Sequence, residues 1–174
     1  FACMDIDEQQ LIINSMTDKE LSSIIEELYV DDAVDLMEEL PANVVKRIMR
    51  NATPETRDLI NQFLKYPENS AGSIMTAEFV DLEKDMTVKE AFEHIRKTAE
   101  DKETIYTCYV TSKDRKLLGV VTVRDMLLSP YEALISEIMD ENVISARTTD
   151  DRETVAHMFN KYNFIALPVV DMED

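Results

Sequence analysis

The feature that most constrains the fold is an internal repeat in the second part of the chain. Residues 73–76 read Ser-Ile-Met-Thr, and residues 137–140, which lie 64 positions later, read Glu-Ile-Met-Asp. Apolar residues of a predicted helix recur at the same spacing, Ala91, Phe92 and Ile95 corresponding to Val155, Ala156 and Phe159. Such a repeat indicates a duplicated supersecondary unit. The two copies must therefore fold as a pair of similar modules.

The repeated unit combines strands with a helix. Three segments are rich in β-branched and apolar residues, which favours strands. They are 79–82, 105–111 and 117–122. Residues 88–98 carry a helical apolar stripe and follow the capping-box pattern of Thr87 and Glu90. Strands that alternate with a helix indicate an α/β module.

The second copy is shorter than the first. Its later strand, at Val169, matches Val110 at a displacement of 59 residues, so the first copy holds five extra residues near 100–105. The counterpart of residues 117–125 would fall beyond Asp174. We therefore expect the second copy to be incomplete at its C-terminal end.

Residues 18–64 show a different period. Apolar residues recur at i, i+3 and i+4 through four successive segments, which predicts four stacked helices of about three turns. The start signals are a capping box at Thr17 and Glu20, an N-cap at Asp31, and prolines at first helical positions, Pro41 and Pro54. This part of the chain is predicted to be a compact helical domain.

The expected fold class is therefore α plus α/β, an all-helical superhelical domain followed by a tandem α/β pair with an incomplete second copy. The predicted boundaries are the helical domain at 1–64, a linker at 65–73, the first copy at 74–136 and the second at 137–174. The linker holds Gly72, one of only two glycines, which fits a hinge just before a strand.

The chain is strongly acidic. It has 36 Asp and Glu residues against 18 Lys and Arg, a net charge of −18. Between Asp18 and Glu39 there are nine acidic residues and one basic residue. A field of this sign repels nucleic acid and attracts cations, so we expect no nucleic-acid partner.

The sequence also lacks the patterns of several other protein classes. No apolar stretch approaches the ~20 residues of a transmembrane helix, and the N-terminus shows no secretory signal. Two cysteines, Cys3 and Cys108, are too few for a disulfide framework, which favours a cytoplasmic location. Glycine-rich phosphate loops, zinc motifs and nucleophile motifs are also missing, so we expect no enzymatic activity.

Two motifs resemble known families. Residues 119–125 read Gly-Val-Val-Thr-Val-Arg-Asp and, with Ile-Met at the entrance of each copy, resemble a CBS-domain pair. The junction at 66–76, which follows short acidic helices, is similar to the junction between the helical and CBS domains of MgtE magnesium transporters. The resemblance implies a region on the cytoplasmic side of the cell membrane, a transmembrane domain absent from this sequence, and a homodimer formed through the CBS domains.

Asp31 and Asp35 stand one helical turn apart, so their like charges are neighbours. Such a pair suits a divalent cation that keeps part of its water shell, and it equally suits an N-cap followed by a surface charge. In MgtE proteins the equivalent aspartates bind Mg²⁺. The resemblance therefore implies that Asp31 and Asp35 are metal ligands, with Asp32, Glu38 and Glu39 adding to the field.

The resemblance implies further Mg²⁺ ligands. The carbonyl of Ser73 corresponds to one, although many relatives have Gly-Gly at this point and the serine is a departure. Glu153, the Asn160 carbonyl and Asn163 correspond to another site, although Asn163 replaces a common aspartate and an amide brings no charge. From the residues alone, Glu153 also fits a capping pair with Asp150 at a helix start.

Thr122 and Asp125 fit the CBS pattern in which a hydroxyl and a carboxylate engage the ribose of an adenine nucleotide. ATP or a similar nucleotide would then act as a regulator. The alternative is a cap at the end of a strand, with Asp125 as the N-cap of the next helix. The two readings of this pair are equally compatible with the sequence.

The residues and the resemblance together predict a magnesium sensor. Mg²⁺ bound between acidic domains would favour a compact state and close the transport pathway of a magnesium transporter or channel. Two alternatives stay open. One is a CBS-pair module that senses an adenine nucleotide and regulates another protein, and the other is an interaction scaffold that binds neither ligand.

Overall fold

The computed structural model describes residues 4–171, apart from the side chain of Ile6, and these form two compact units. The first unit comprises the chain up to Glu68 together with residues 73–77. The second comprises residues 69–72 together with the chain from Glu78 onward. The chain therefore passes from one unit to the other three times. Cys3, one of the two cysteines, lies outside the described residues.

Within the described residues, the first unit contains five helices of ten residues each. They are α1 (Ile6–Ser15), α2 (Asp18–Glu27), α3 (Val30–Glu39), α4 (Ala42–Asn51) and α5 (Pro54–Phe63). The four helices predicted within 18–64 are confirmed. The sequence reading missed α1, whose start is set by the Asp5 carboxylate as it accepts the N–H of Asp7 at 3.0 Å.

Two predicted helix starts are confirmed. Thr17 and Glu20 form a capping box, in which the Thr17 N–H donates to the Glu20 carboxylate at 2.8 Å. Pro54 is the first residue of α5, and its neighbour Thr53 caps the helix by accepting the N–H of Thr56. The fixed φ angle of proline suits this position, where its missing N–H costs no hydrogen bond.

Two other starts differ from the prediction. Helix α3 begins at Val30 with Tyr29 in the cap position, so the prediction of Asp31 as N-cap was wrong. The helix starts two residues earlier than predicted, and its first residue, Val30, is buried. Pro41 immediately precedes α4 instead of opening it. Both differences are within the usual uncertainty of a helix end.

The apolar faces of these helices pack together into one shared hydrophobic core. Helix α2 packs against α4 and α3 against α5, so each contacts the next helix but one, as in a superhelical stack. The most deeply buried side chains are Ile13, Leu21, Ile25, Ile48 and Ile60. Arg47 of α4 ties this core to the first helices, because its guanidinium donates to the Ile13 carbonyl at 3.0 Å and to the Asp18 carboxylate at 2.7 Å.

Glu26 makes a second link between helices of the first unit. Its carboxylate accepts the N–H of Thr53 at 2.9 Å and the hydroxyl of Thr56 at 2.6 Å, and so joins α2 to the start of α5. Burial raises the pKa of Glu26, but the hydrogen bonds from Thr53 and Thr56 together outweigh burial and leave the pKa lowered. This carboxylate therefore has a structural role.

The second unit contains the strands. Its elements are α6 (Ala71–Ile74, which ends in the first unit), β1 (Val80–Glu83), α7 (Val88–Thr98), a 3₁₀ turn (Ala99–Asp101), β2 (Thr107–Thr111), β3 (Leu117–Thr122), α8 (Val123–Leu128), α9 (Ile135–Ile138), β4 (Ala146–Arg147), α10 (Arg152–Tyr162) and β5 (Val169–Val170). Strand β2 pairs parallel with β1 and antiparallel with β3, and β4 pairs parallel with β5. The α/β class is confirmed.

The repeat is visible element by element. Helix α9 begins 64 residues after α6, and α10 begins 64 residues after α7, with equal lengths in each pair. The N-caps Thr87 and Asp151 are also 64 residues apart. Gly72 is the second residue of α6 and has a helical backbone, so the expectation that it directly precedes a strand was wrong.

Candidate functional site

The acidic face of α3 borders a half-open surface cavity of ≈ 200 Å³ that is lined by residues of the first unit. The lining residues are Met4, Gln9, Leu28, Asp32, Asp35, Leu36 and Glu39. Its three carboxylates are spaced at i, i+3 and i+7, which places them along one side of the helix. Helix α3 thus turns part of its acidic stripe toward this cavity, while Ala33 and Met37 are buried in the core.

Of the predicted pair Asp31 and Asp35, which lie one turn apart on α3, only Asp35 lines the cavity. Asp35 is exposed and lines the cavity, whereas Asp31 is half-buried in the first turn of α3 and lies outside the lining. Asp32 and Glu39, which the sequence reading treats only as contributors to the field, flank Asp35 instead. The i, i+3, i+7 spacing of 32, 35 and 39 is the signal that could have identified them.

The oxygen donors beside the cavity suit a hard, partly hydrated cation. Mg²⁺ prefers oxygen ligands, keeps several of its waters and is usually held by one or two carboxylates. Among residues 4–171, no group of three or more His, Cys, Asp or Glu side chains is arranged to hold a metal ion by itself. A Mg²⁺ ion on α3 would therefore depend on one or two carboxylates and on its own water shell.

Ser73 is the third residue of α6 and is half-buried. It is also the first residue of the segment 73–77, which groups with the first unit, while residues 69–72 group with the second. Its carbonyl stays a predicted Mg²⁺ ligand.

The predicted ligands on α10 lie at its two ends. Glu153 is in the first turn, where its N–H donates to the Asp151 carboxylate at 2.8 Å, so the N-cap is Asp151 and not Asp150. Asn163 ends the helix in a left-handed conformation with φ 53°. A rise of ~1.5 Å per residue separates these two backbones by about 15 Å, too far to share one Mg²⁺ with ligands at ~2.1 Å. They stay predictions as separate positions, Glu153 at one end and Asn160 with Asn163 at the other.

Thr122 and Asp125 lie together at the point where β3 leads into α8. The Thr122 N–H donates to the Asp125 carboxylate at 3.0 Å, the Thr122 hydroxyl donates to the same carboxylate, and the Asp125 N–H donates to the hydroxyl at 3.1 Å. Thr122 is the N-cap and Asp125 is the third residue of the helix, so the expectation of Asp125 as N-cap was wrong. The pair is a capping box that also presents a hydroxyl and a carboxylate at the surface.

Cys108 and Tyr109 on β2 are buried. Burial raises the pKa of the Cys108 thiol to about 12, and burial together with the nearby Cys108 raises the pKa of Tyr109 to about 12. Both groups are therefore fully protonated at neutral pH. Neither Cys108 as a nucleophile nor Tyr109 as a base would be active in that form.

The fold and site define an acidic helical domain joined to a CBS-domain pair. Residues 1–69 match the family described as MgtE intracellular N domain, and residues 71–131 and 135–174 match the CBS domain family. Within residues 4–171, each helix is too short or too polar to cross a membrane. The chain belongs to the MgtE family of magnesium transporters.

Known proteins of this family resemble the chain over most of its length. Magnesium transporter MgtE of Thermus thermophilus is 36% identical over 148 residues, which cover 83% of this chain and 33% of that protein. The crystal structure of the cytosolic domain of the Mg²⁺ channel MgtE in complex with ATP superposes with a TM-score of 0.89 at 35% identity, covering 99% of this chain and 71% of that one. The soluble part of a magnesium transporter gives a TM-score of 0.82 at 30% identity, covering 98% and 77%.

The chain spans only part of its full-length relatives. It covers between 25% and 36% of three curated magnesium transporters of the MgtE family. All three relatives are named magnesium transporters.

Proposed function

We propose that this chain is the magnesium-sensing regulatory region of a magnesium transporter or channel. Mg²⁺ bound by its carboxylates favours a compact state, and that state closes the transport pathway of a transmembrane domain in the same polypeptide, at the cytoplasmic side of the membrane. The observation that carries the proposal is the cavity lined by Asp32, Asp35 and Glu39.

A sensor of this kind needs weak binding. Affinity near a millimolar ion concentration corresponds to only about 4 kcal/mol, which suits a hydrated ion on one or two carboxylates. Occupancy shifts a conformational equilibrium only as far as the ion prefers one state over the other. Several weak positions therefore fit regulation better than one closed cage, and Asp31, Ser73, Glu153, Asn160 and Asn163 are the further candidates.

Thermal melting at matched ionic strength tests this proposal. We expect MgCl₂ at ten times its dissociation constant to stabilise the chain by about 1.4 kcal/mol, a rise of roughly 3–6 °C in Tm, while KCl gives no comparable rise. Small-angle scattering should report a smaller radius of gyration with Mg²⁺. Equal effects of MgCl₂ and KCl, or an unchanged scattering curve, would contradict the proposal.

A pair of matched variants locates the ion. Asp35→Asn/Glu39→Gln removes two exposed carboxylates that line the cavity, and Glu55→Gln/Asp58→Asn removes two exposed carboxylates from α5 in the same unit. We expect the first variant to lose at least half of the Mg²⁺-dependent rise in Tm and the second to keep it. Equal losses would mean that the ions respond only to overall charge.

A second candidate function is adenine-nucleotide sensing by the CBS pair. It is supported by the structural relative that was crystallised in complex with ATP and by the hydroxyl and carboxylate of Thr122 and Asp125. In this function the nucleotide is a regulator of the transporter, or of another protein.

Calorimetric titration with ATP tests the nucleotide function. Thr122→Val should weaken ATP binding by about tenfold, because it removes the threonine hydroxyl that would hydrogen-bond the ribose of ATP. Thr87→Val breaks the same type of capping box at the start of α7 and is the matched control, since it should leave ATP binding unchanged. Wild-type protein that releases no heat with ATP would argue against this function.

A homodimer through the CBS pair is also proposed. Large apolar side chains are exposed at and just after α8, with Leu127 at 69%, Leu128 at 76% and Tyr131 at 62%. A second copy that covers them would bury this surface. Sedimentation equilibrium should show dimers that Leu128→Glu dissociates, while Leu11→Glu in the first unit, exposed at 73%, leaves the dimer intact.

A further inference from the structure

Residues 69–72 precede the first CBS copy in sequence, yet their backbone hydrogen bonds go to the second copy. The Ala71 N–H donates to the Asp150 carbonyl at 2.7 Å, and the Gly72 N–H donates to the Thr148 carbonyl at 2.9 Å. These bonds hold the segment against the corner between β4 and α10, residues 148–152.

A third bond comes from that corner. The Arg152 N–H donates to the Asn69 carbonyl at 2.9 Å. Three equivalent bonds join the segment before the second copy to the first copy. The N–H groups of Ile135 and Ser136 donate to the carbonyls of Met86 at 2.8 Å and Lys84 at 2.9 Å. The Val88 N–H donates to the Ala133 carbonyl at 2.9 Å. The segment before each copy is thus built into the other copy.

Side-chain burial agrees with the hydrogen bonds. Ser70 and Ala71 are 3% and 1% exposed, and Ala71 forms a core cluster with Ala146 and Val155 of the second copy. The residues that follow, 73–77, belong to the helical unit instead, where Met75 and Ala77 pack against its core. Four residues of chain therefore belong to the second copy and are bordered on both sides by chain of the helical unit.

We propose that residues 69–72 are a tether to the second CBS copy, a segment that opens and rearranges together with the corner at 148–152 because the two share backbone hydrogen bonds. The corresponding corner of the first copy, residues 84–88, is hydrogen-bonded in the same way to residues 133–136, which connect the two copies. The tether operates whichever ligand causes the rearrangement.

Native-state hydrogen exchange on the whole chain tests the tether, because residues that open together exchange together. Val155→Ala weakens the core of the second copy, and we expect the amides of Ala71, Gly72 and Thr148 to exchange about tenfold faster. Val110→Ala makes the same deletion in the core of the first copy, where Val110 clusters with Ile135. It should accelerate Ile135 and Ser136 and leave Ala71 and Gly72 within twofold of wild type. The proposal would be overturned if Val155→Ala left the exchange of Ala71 and Gly72 unchanged, or if Val110→Ala accelerated them equally.

The reverse perturbation gives an independent reading. Ala71→Pro removes the N–H that donates to Asp150, and proline is well tolerated at the first position of a helix. We expect the amides of Ala146 and Thr148 to exchange about tenfold faster, while those of Ile25 and Ile48 in the helical unit keep their rates. Unchanged rates at Ala146 and Thr148 would show that the second copy does not depend on the segment.

Discussion

The described parts of the two CBS copies have matching helices but different sheets. Helices α7 and α10 have eleven residues each, and both follow a side chain that caps the helix start. Yet the first copy has a three-stranded sheet, while the described part of the second has two strands of two residues. Val110 is fully buried on β2, and its counterpart Val169 on β5 is only half-buried. Equal local signals give equal helices, whereas a sheet and its core also need partners that are distant in sequence.

The largest expected effect is in the core of the first copy. Ile95 is 5% exposed, and its counterpart Phe159 is half-buried. Ile95→Ala should cost about 2–5 kcal/mol in the free energy of unfolding, and Phe159→Ala roughly half of the 3–5 kcal/mol typical of a buried phenylalanine. Urea denaturation, with the unfolding of each copy followed by amide hydrogen exchange, measures the change in the free energy of unfolding for both variants. A larger loss from Phe159→Ala would reverse the ranking of the two cores.

The next effect concerns a close approach between Gly119 of the first copy and residues 139–140 at the entrance of the second. A Cβ added at Gly119 would lie 2.8 Å from Met139 Sδ and 3.0 Å from the Asp140 carbonyl oxygen, beside the pairing of Val120 with Asp140. Gly119→Ala should therefore destabilise the chain by about 1–3 kcal/mol. The double variant Gly119→Ala/Met139→Ala should not recover the wild-type midpoint in urea, because the backbone contact persists. Full recovery would mean that the added methyl group clashes only with the Met139 side chain and not with the backbone of Asp140.

Loss of the helix caps should affect both copies similarly. The Thr87 hydroxyl accepts the N–H of Glu90 at 3.2 Å, and the Asp151 carboxylate accepts the N–H of Glu153 at 2.8 Å. Thr87→Ala and Asp151→Ala should each cost about 1 kcal/mol. Thermal melting monitored by circular dichroism compares them, and a difference of more than twofold would mean that the two helix starts are not equivalent.

The smallest expected effect is a pH dependence at the start of α7. Hydrogen bonds from the Thr87 N–H and hydroxyl lower the pKa of Glu90. The stabilisation by this carboxylate is therefore complete above the unfolded pKa of ~4.5 and is lost as the pH falls through the lower folded pKa. Melting between pH 6 and pH 3 should show a shallower loss of stability for Glu90→Gln than for wild type. Identical slopes would mean that Glu90 does not contribute.

Much of the fold could be predicted because its signals are local. The helix at 88–98, the strand at 117–122 and the 64-residue spacing match the structure residue for residue. The helix α1 was missed because its apolar stripe is weak, with Leu11 exposed at 73%. The candidate site was predicted only to the level of the acidic helix α3, because the choice between Asp31 and Asp32 depends on how that helix is rotated against α1 and α2.

The sequence by itself determined the starts of α2, α5 and α7, the duplication and the density of acidic charge, since each depends on residues a few positions apart or on a simple comparison of two segments. Only the tertiary structure decided that Asp32, Asp35 and Glu39 line one cavity and that residues 69–72 belong to the second copy. The latter depends on hydrogen bonds between backbones about 80 residues apart. Every residue type can accept such a bond, and every type except proline can donate one. The side chains therefore carry no signal of which backbones will pair.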